Sequence, residues 1–143
     1  MSPETIKTII AIVLLLHGLA FGKAFLELLV DAAGSRRGYA VPVRFWLIPS
    51  LSSRATAILA SVFWLLSTIG FLGAALSLWR SDLSAETWRQ LAIPSAIIST
   101  LGIGLVSGIW PGAPTRKMSN LDTVIALVVN AAILIALVIL KWP

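Results

Sequence analysis

The chain has 143 residues, of which 58% are hydrophobic and only 12% charged, about half the charged share of a soluble domain. That balance excludes an ordinary soluble fold, and the lack of cysteine excludes disulfides, thiolate metal sites and thiol redox chemistry. The net charge of +5 falls in short loops between apolar runs. It therefore points to membrane topology and anionic headgroups, with no nucleic-acid partner expected.

Four apolar stretches have the roughly 20 residues needed to cross about 30 Å of hydrocarbon as a helix. They predict helices over about 5–33, 54–79, 86–110 and 120–142, and none shows the alternation of a barrel strand. The expected fold is all-α, a single-domain four-helix transmembrane bundle over 1–143.

Ser2-Pro3-Glu4 reads as a helix start, with Ser2 as N-cap. The first run continues through Lys23 to Val30 without a small-x-small cleavage site, so it is expected to remain as a helix and not as a cleaved signal peptide. It carries His17 near its middle, the only histidine, and then Lys23, Glu27 and Asp31 at four-residue spacing on one face.

The first loop, 34–53, is the longest. It contains Arg36, Arg37, Arg44, two prolines and the aromatics Tyr39, Phe45 and Trp46. Such a mixture suits the headgroup layer, and the loop is expected to lie in the interface. The alternative is a lid folded over one end of the bundle.

In the second helix Ser67, Gly70 and Ala74 form a small-residue strip that lets a neighbour approach closely. Trp79 at its end and Trp88 in the third helix read as belt residues. Glu86 and the preceding Ser84 offer a cap. The third helix contains Pro94, expected to kink it or to start its regular part. Thr100, Gly104 and Gly108 recur every four residues and are expected to pack inward, beside a second short strip of Ser95 and Ser99. Arg116 and Lys117 lie in a compact basic turn, with Ser119 or Asn120 as the cap of the fourth helix. In that helix Asp122, Ala126 and Asn130 share a face. Asp122 is expected in the first turn, where a carboxylate complements the positive helix end. It also lies within possible pairing range of Lys23 or Arg116.

Loops 1 and 3 carry six cations (Arg36, Arg37, Arg44, Arg54, Arg116 and Lys117), against four on the opposite side (Lys7, Arg80, Arg89 and Lys141). The positive-inside rule then places these loops in the cytoplasm and both termini outside. Arg36, Arg37, Arg116 and Lys117 are candidate contacts for anionic lipid.

His17 and Asn130 are the candidate polar centre. His17 lies ten residues past Lys7, roughly 15 Å of helix, and Asn130 eleven residues before Lys141, roughly 16 Å. Both therefore fall at one depth near the midplane, where a lipid-facing polar group is unfavourable. The first and fourth helices are expected to pack side by side, with the two side chains meeting directly or through one water. The alternative is that each bonds separately, His17 to a hydroxyl on the second or third helix and Asn130 to a backbone carbonyl. No cofactor or metal is expected at His17, since a haem held by two histidines needs a second one and no carboxylate or thiol shares its depth. Glu27 is a candidate for proton coupling if it faces a crevice. A helix-end ion pair with Lys23 near the headgroups is the plainer reading.

His17, Phe21, Lys23, Ala24 and Phe25 resemble the opening of a family of uncharacterised four-helix bacterial membrane proteins, whose first helix carries His, Phe and then Lys-Ala-Phe. Trp110, Ala113 and Asn120 resemble that family's Trp, Ala and Asn between the third and fourth helices. Where the family has Asp-Ala-Lys, this chain has Gly112-Ala113-Pro114. A looser likeness to DoxX-type four-helix proteins rests on His17-Gly18 followed by Lys23. The resemblance implies a four-helix fold in a bacterial inner membrane and no particular activity.

Three functions remain open. One is a structural or accessory membrane protein, as a homo-oligomer or a subunit of a larger assembly. Another is a proton-coupled transporter of a small amphiphile using Glu27. The third is a membrane enzyme acting on a lipid or quinone through His17.

Overall fold

A computed structural model describes residues 2–33, 44–80, 86–107 and 116–139; the side chains of 31, 32, 107 and 116–119 lie outside that description. The described chain is all but entirely helical: α1 (Pro3–Ala32), α2 (Ser53–Trp79), α3 (Thr87–Leu105) and α4 (Arg116–Leu134), the last continued by a π-helix over Ile135–Ile139. Two short strands, β1 (Arg44–Phe45) and β2 (Val106–Ser107), pair antiparallel with Phe45 opposite Val106.

Three helices are long and apolar enough to cross a membrane: Pro3–Val30, Ser53–Trp79 and Asn120–Ile139. α3 is not among them. It has 19 residues, and its first turn is the polar Thr87-Trp88-Arg89-Gln90.

The helix starts follow local chemistry. Ser2 Oγ accepts the Thr5 N–H at 3.2 Å, and Ser52 Oγ accepts the Ala55 N–H at 3.2 Å, each satisfying a donor that a helix start leaves open. Glu86 occupies the cap position of α3, and its side chain makes no cap bond.

Several boundaries differ from expectation. The third helix ends at Leu105 and not at 110, because Val106 turns extended (φ −108°, ψ 112°) to pair with Phe45. The fourth helix begins at Arg116 and not at 120. Arg116, Lys117 and Met118 are good helix formers and add a turn ahead of the apolar run. Ser119 and Asn120 are therefore inside the helix, not capping it, and Asp122 stands beyond the first turn, where the effect of the helix end has fallen away. Pro94 lies inside α3, which runs through it unbroken.

α1 and α2 form the most extensive pairing, followed by α2 with α3, while α4 rests chiefly on α3. Leu14, Phe21 and Leu28 of α1 are buried with Trp64 and Phe71 of α2. Phe21 lies 5.3 Å from Trp64 and 6.1 Å from Phe71, centroid to centroid. Gly18 and Gly22 set this spacing: a Cβ on Gly18 would stand 3.1 Å from Phe71 Cβ, and one on Gly22 3.3 Å from Thr68 Cγ2. On the other side of α2, Gly70 faces Ser95 so closely that a Cβ there would collide with its hydroxyl. Hydroxyls inside the bundle bond back to their own helices, as with Ser67 to the Phe63 carbonyl and Ser95 to that of Leu91. That satisfies donors that have no water to turn to.

The described part of the first loop is clipped to the end of α3. The Trp46 N–H donates to the Leu105 carbonyl at 3.3 Å, and the Trp46 indole N–H donates to the Gly104 carbonyl. Phe45 is buried, whereas Trp46, Leu47 and Ile48 are exposed.

Candidate functional site

Of the buried polar side chains, His17 and Ser99 meet at Asn130. Its position on the face shared with Ala126 turns it inward, and it is 1% exposed. Two consecutive residues of α3, Ser99 and Thr100, face it. Asn130 Nδ2 donates to Ser99 Oγ at 2.7 Å and to Thr100 Oγ1 at 3.1 Å. Both hydroxyls in turn donate to the Ala96 carbonyl, at 3.2 and 2.7 Å. Since their hydrogens are directed to Ala96, the hydroxyl oxygens accept, and the amide must face them with its nitrogen.

That leaves Asn130 Oδ1 directed at α1, where His17 Nε2 lies 2.9 Å away. An amide oxygen only accepts, so Nε2 carries a proton and donates. The bond sequence therefore has one sense, from His17 through Asn130 and the two hydroxyls to the Ala96 carbonyl. It ties α1, α4 and α3 together at one level. The imidazole is held from its other sides by Phe21 and Phe71, both edge-on, at 5.0 and 4.8 Å between centroids.

The other expected site residues lie apart from this centre. Lys23 is exposed and Glu27 half-buried, both toward the far end of α1, and Asp122 is exposed. The side chains of Asp31, Arg116 and Lys117 are outside the described set, as are Arg36, Arg37 and Gly108 entirely. Among the described residues no three His, Asp or Glu side chains gather as a metal site.

Two expectations about packing are corrected. Gly104 faces open space with nothing within 4 Å of a built Cβ, because the inward stripe of α3 runs through Ala92, Ser95, Ser99 and Gly102 instead. Gly102 is the close-approach glycine, where a Cβ would meet Trp64 at 2.7 Å and Phe63 Cβ at 2.9 Å. Trp88, expected in the aromatic belt, is buried, whereas Trp79 is exposed. Ala74 is buried and Gly70 half-buried against α3, with Thr100 half-buried beside Asn130.

The residues missed by the sequence reading are Gly18, Gly22 and Gly102. The first two form a Gly-x-x-x-Gly pair, the recognised signal for close helix approach.

Comparisons with protein-family models, with curated proteins and with solved structures return no match for this chain.

Proposed function

We propose that the protein is an integral membrane protein whose four helices all cross the bilayer, and that it serves as a structural or accessory component of a membrane assembly. The supporting observation is the closure of its polar centre. All the side-chain hydrogen-bonding groups of Asn130 are engaged by His17, Ser99 and Thr100, so the midplane polarity serves to join helices.

The membrane placement follows from α1. Thirty residues make roughly 45 Å of helix, longer than the hydrocarbon layer. Centring the layer on His17 puts its borders about ten residues away on each side, near Lys7 and Glu27. Lys23 then lies within a turn of the border and can extend its ammonium to it. α3 is roughly 28 Å long and completes the set of four, with Arg89 at the border. In this placement loops 1 and 3 face the cytoplasm, and Arg36, Arg37, Arg116 and Lys117 meet anionic headgroups, each cation contributing about 1 kcal/mol.

The exposed faces fit an assembly. Leu16, Leu19 and Leu26 on α1, Val128 on α4, and Ile135 and Ile139 on its π-helical continuation are all exposed and can meet either lipid or a partner helix. An apolar cavity between α1 and α4 comes as near the centre as Leu14 and Val129 but is not lined by His17, which leaves the enzyme reading without an approach from that side.

Purification in mild detergent from the native membrane tests the reading. The chain should run as a species larger than its 15.3 kDa monomer, alone or with a co-purifying protein. A strict monomer would overturn the assembly. Proton-driven uptake of an amphiphile that is lost in Glu27→Gln would transfer the assignment to transport.

A further inference from the structure

A cavity of about 260 Å³ lies between α1 and α4, walled by Ile10, Val13 and Leu14, by Trp88 of α3, and by Val129 and Leu137 toward the two ends of its α4 side. It exists because α4 rests chiefly on α3, while His17 and Asn130 bridge the remaining gap to α1 at the level of its inner end. All the side chains lining it are apolar.

Its dimensions restrict what can fill it. The α4 wall runs from Val128 to Leu137, roughly 13 Å of helix. That is close to the depth of one leaflet, half of an approximately 30 Å hydrocarbon layer. A whole helix, about 10 Å across, cannot enter a space of about 260 Å³, whereas a narrower hydrocarbon chain can lie along it.

The outer end carries positive charge. Arg89 Nη2 donates to the Leu137 carbonyl at 3.0 Å, one of the carbonyls a helix end leaves open. The guanidinium has five N–H donors, more than this bond uses. Its ion pair with Glu86 is long, at 3.6 Å, with an exposed carboxylate, and contributes little. A phosphate is the planar fork's natural complement. Lys7 stands two residues before Ile9 of the cavity wall, and its ammonium is paired with Glu4 at 3.1 Å.

We propose that this groove holds one acyl chain of a bilayer phospholipid, with the lipid's phosphate against Arg89. The proposal rests on the membrane placement argued above. The chain seals the gap between α1 and α4 that the protein's own side chains leave unfilled.

Two buried tryptophans make the test. Trp88 lines the groove and Trp64 lies in the α1–α2 core. Full-length chains keeping only one of the two, with the remaining tryptophans changed to Phe, are reconstituted in phosphatidylglycerol vesicles brominated along the acyl chains. Trp88 should lose most of its emission and Trp64 keep most of its own. Equal quenching of the two overturns the groove. In native mass spectrometry the unmodified chain should retain one phospholipid, and Arg89→Gln should weaken retention about fivefold, the equivalent of about 1 kcal/mol. Unchanged retention also overturns the proposal, as does a dimer that shields Trp88 from bromine. Failure of the chain to float with the vesicles would instead overturn the membrane placement itself.

Discussion

His17 and Asn130 stand 113 positions apart in the chain and 2.9 Å apart in the fold, and theirs is a direct side-chain link between the first helix and the last. Removing His17 takes the donor from Asn130 Oδ1, and removing Asn130 takes the acceptor from His17 Nε2. A double-mutant cycle with His17→Leu and Asn130→Leu, followed by detergent-induced unfolding, should give a coupling of about 0.6 to 1.7 kcal/mol. Asn130→Leu alone should be the more damaging single change, because it also releases Ser99 and Thr100. Strict additivity would mean that the bond contributes nothing.

Two glycines of α3 should respond in opposite ways to the same methyl group. At Gly102 the new Cβ meets Phe63 Cβ and the Trp64 ring. Phe63 Cβ is fixed to the backbone and cannot swing aside, so Gly102→Ala should destabilise by about 1 to 3 kcal/mol. At Gly104 the space is open, and Gly104→Ala should be neutral or gain up to about 1 kcal/mol in helix propensity. Parallel unfolding curves for the two variants check this, and the reverse order would refute the rotation assigned to α3.

Trp46 acts as a cap for α3 from outside the helix, through its indole on the Gly104 carbonyl. Trp46→Phe keeps the ring and deletes the donor. Its cost should be about 0.5 to 1.5 kcal/mol, felt locally. Amide exchange at Trp46 and Val106 should quicken while that of the α1–α2 core stays unchanged. A global acceleration would show that the clip holds more than the helix end.

The lack of cysteine makes sidedness directly measurable. Ser35 and Ser84, both outside the described residues, fall in the first and second loops. With Ser35→Cys the thiol should resist an impermeant reagent in whole cells, and with Ser84→Cys it should react. The opposite pattern would invert the proposed orientation.

The polar centre was legible because depth is a one-dimensional problem: counting from Lys7 and Lys141 puts His17 and Asn130 at one level. Rotation about the helix axis is harder to read. Spacing alone sets Thr100 and Gly104 on one inward face, yet α3 turns Gly102 to α2 and Gly104 outward. In a helix this apolar the pattern gives no contrast between core and lipid, since Leu serves both. The end of α3 was illegible for another reason. Val106 and Ser107 continue an apolar run, and what straightens them is Arg44 and Phe45 from a distant loop. The acyl groove was illegible too, because a gap between helices has no residue of its own.

The clip between Trp46 and Gly104 joins positions 58 residues apart, and this sets an order on how the protein can be built. As the chain is synthesised, α1 and α2 can pair as soon as both have left the ribosome, through Gly18, Gly22 and the aromatic core. The described end of the loop between them cannot pair with α3 until α3 has followed, so until then the Trp46 indole lacks its Gly104 acceptor. α4 comes last to a bundle that is already closed on its other sides, and Asn130 enters as the latch. A chain cut off before α4 would keep its largest interface and lose its lock.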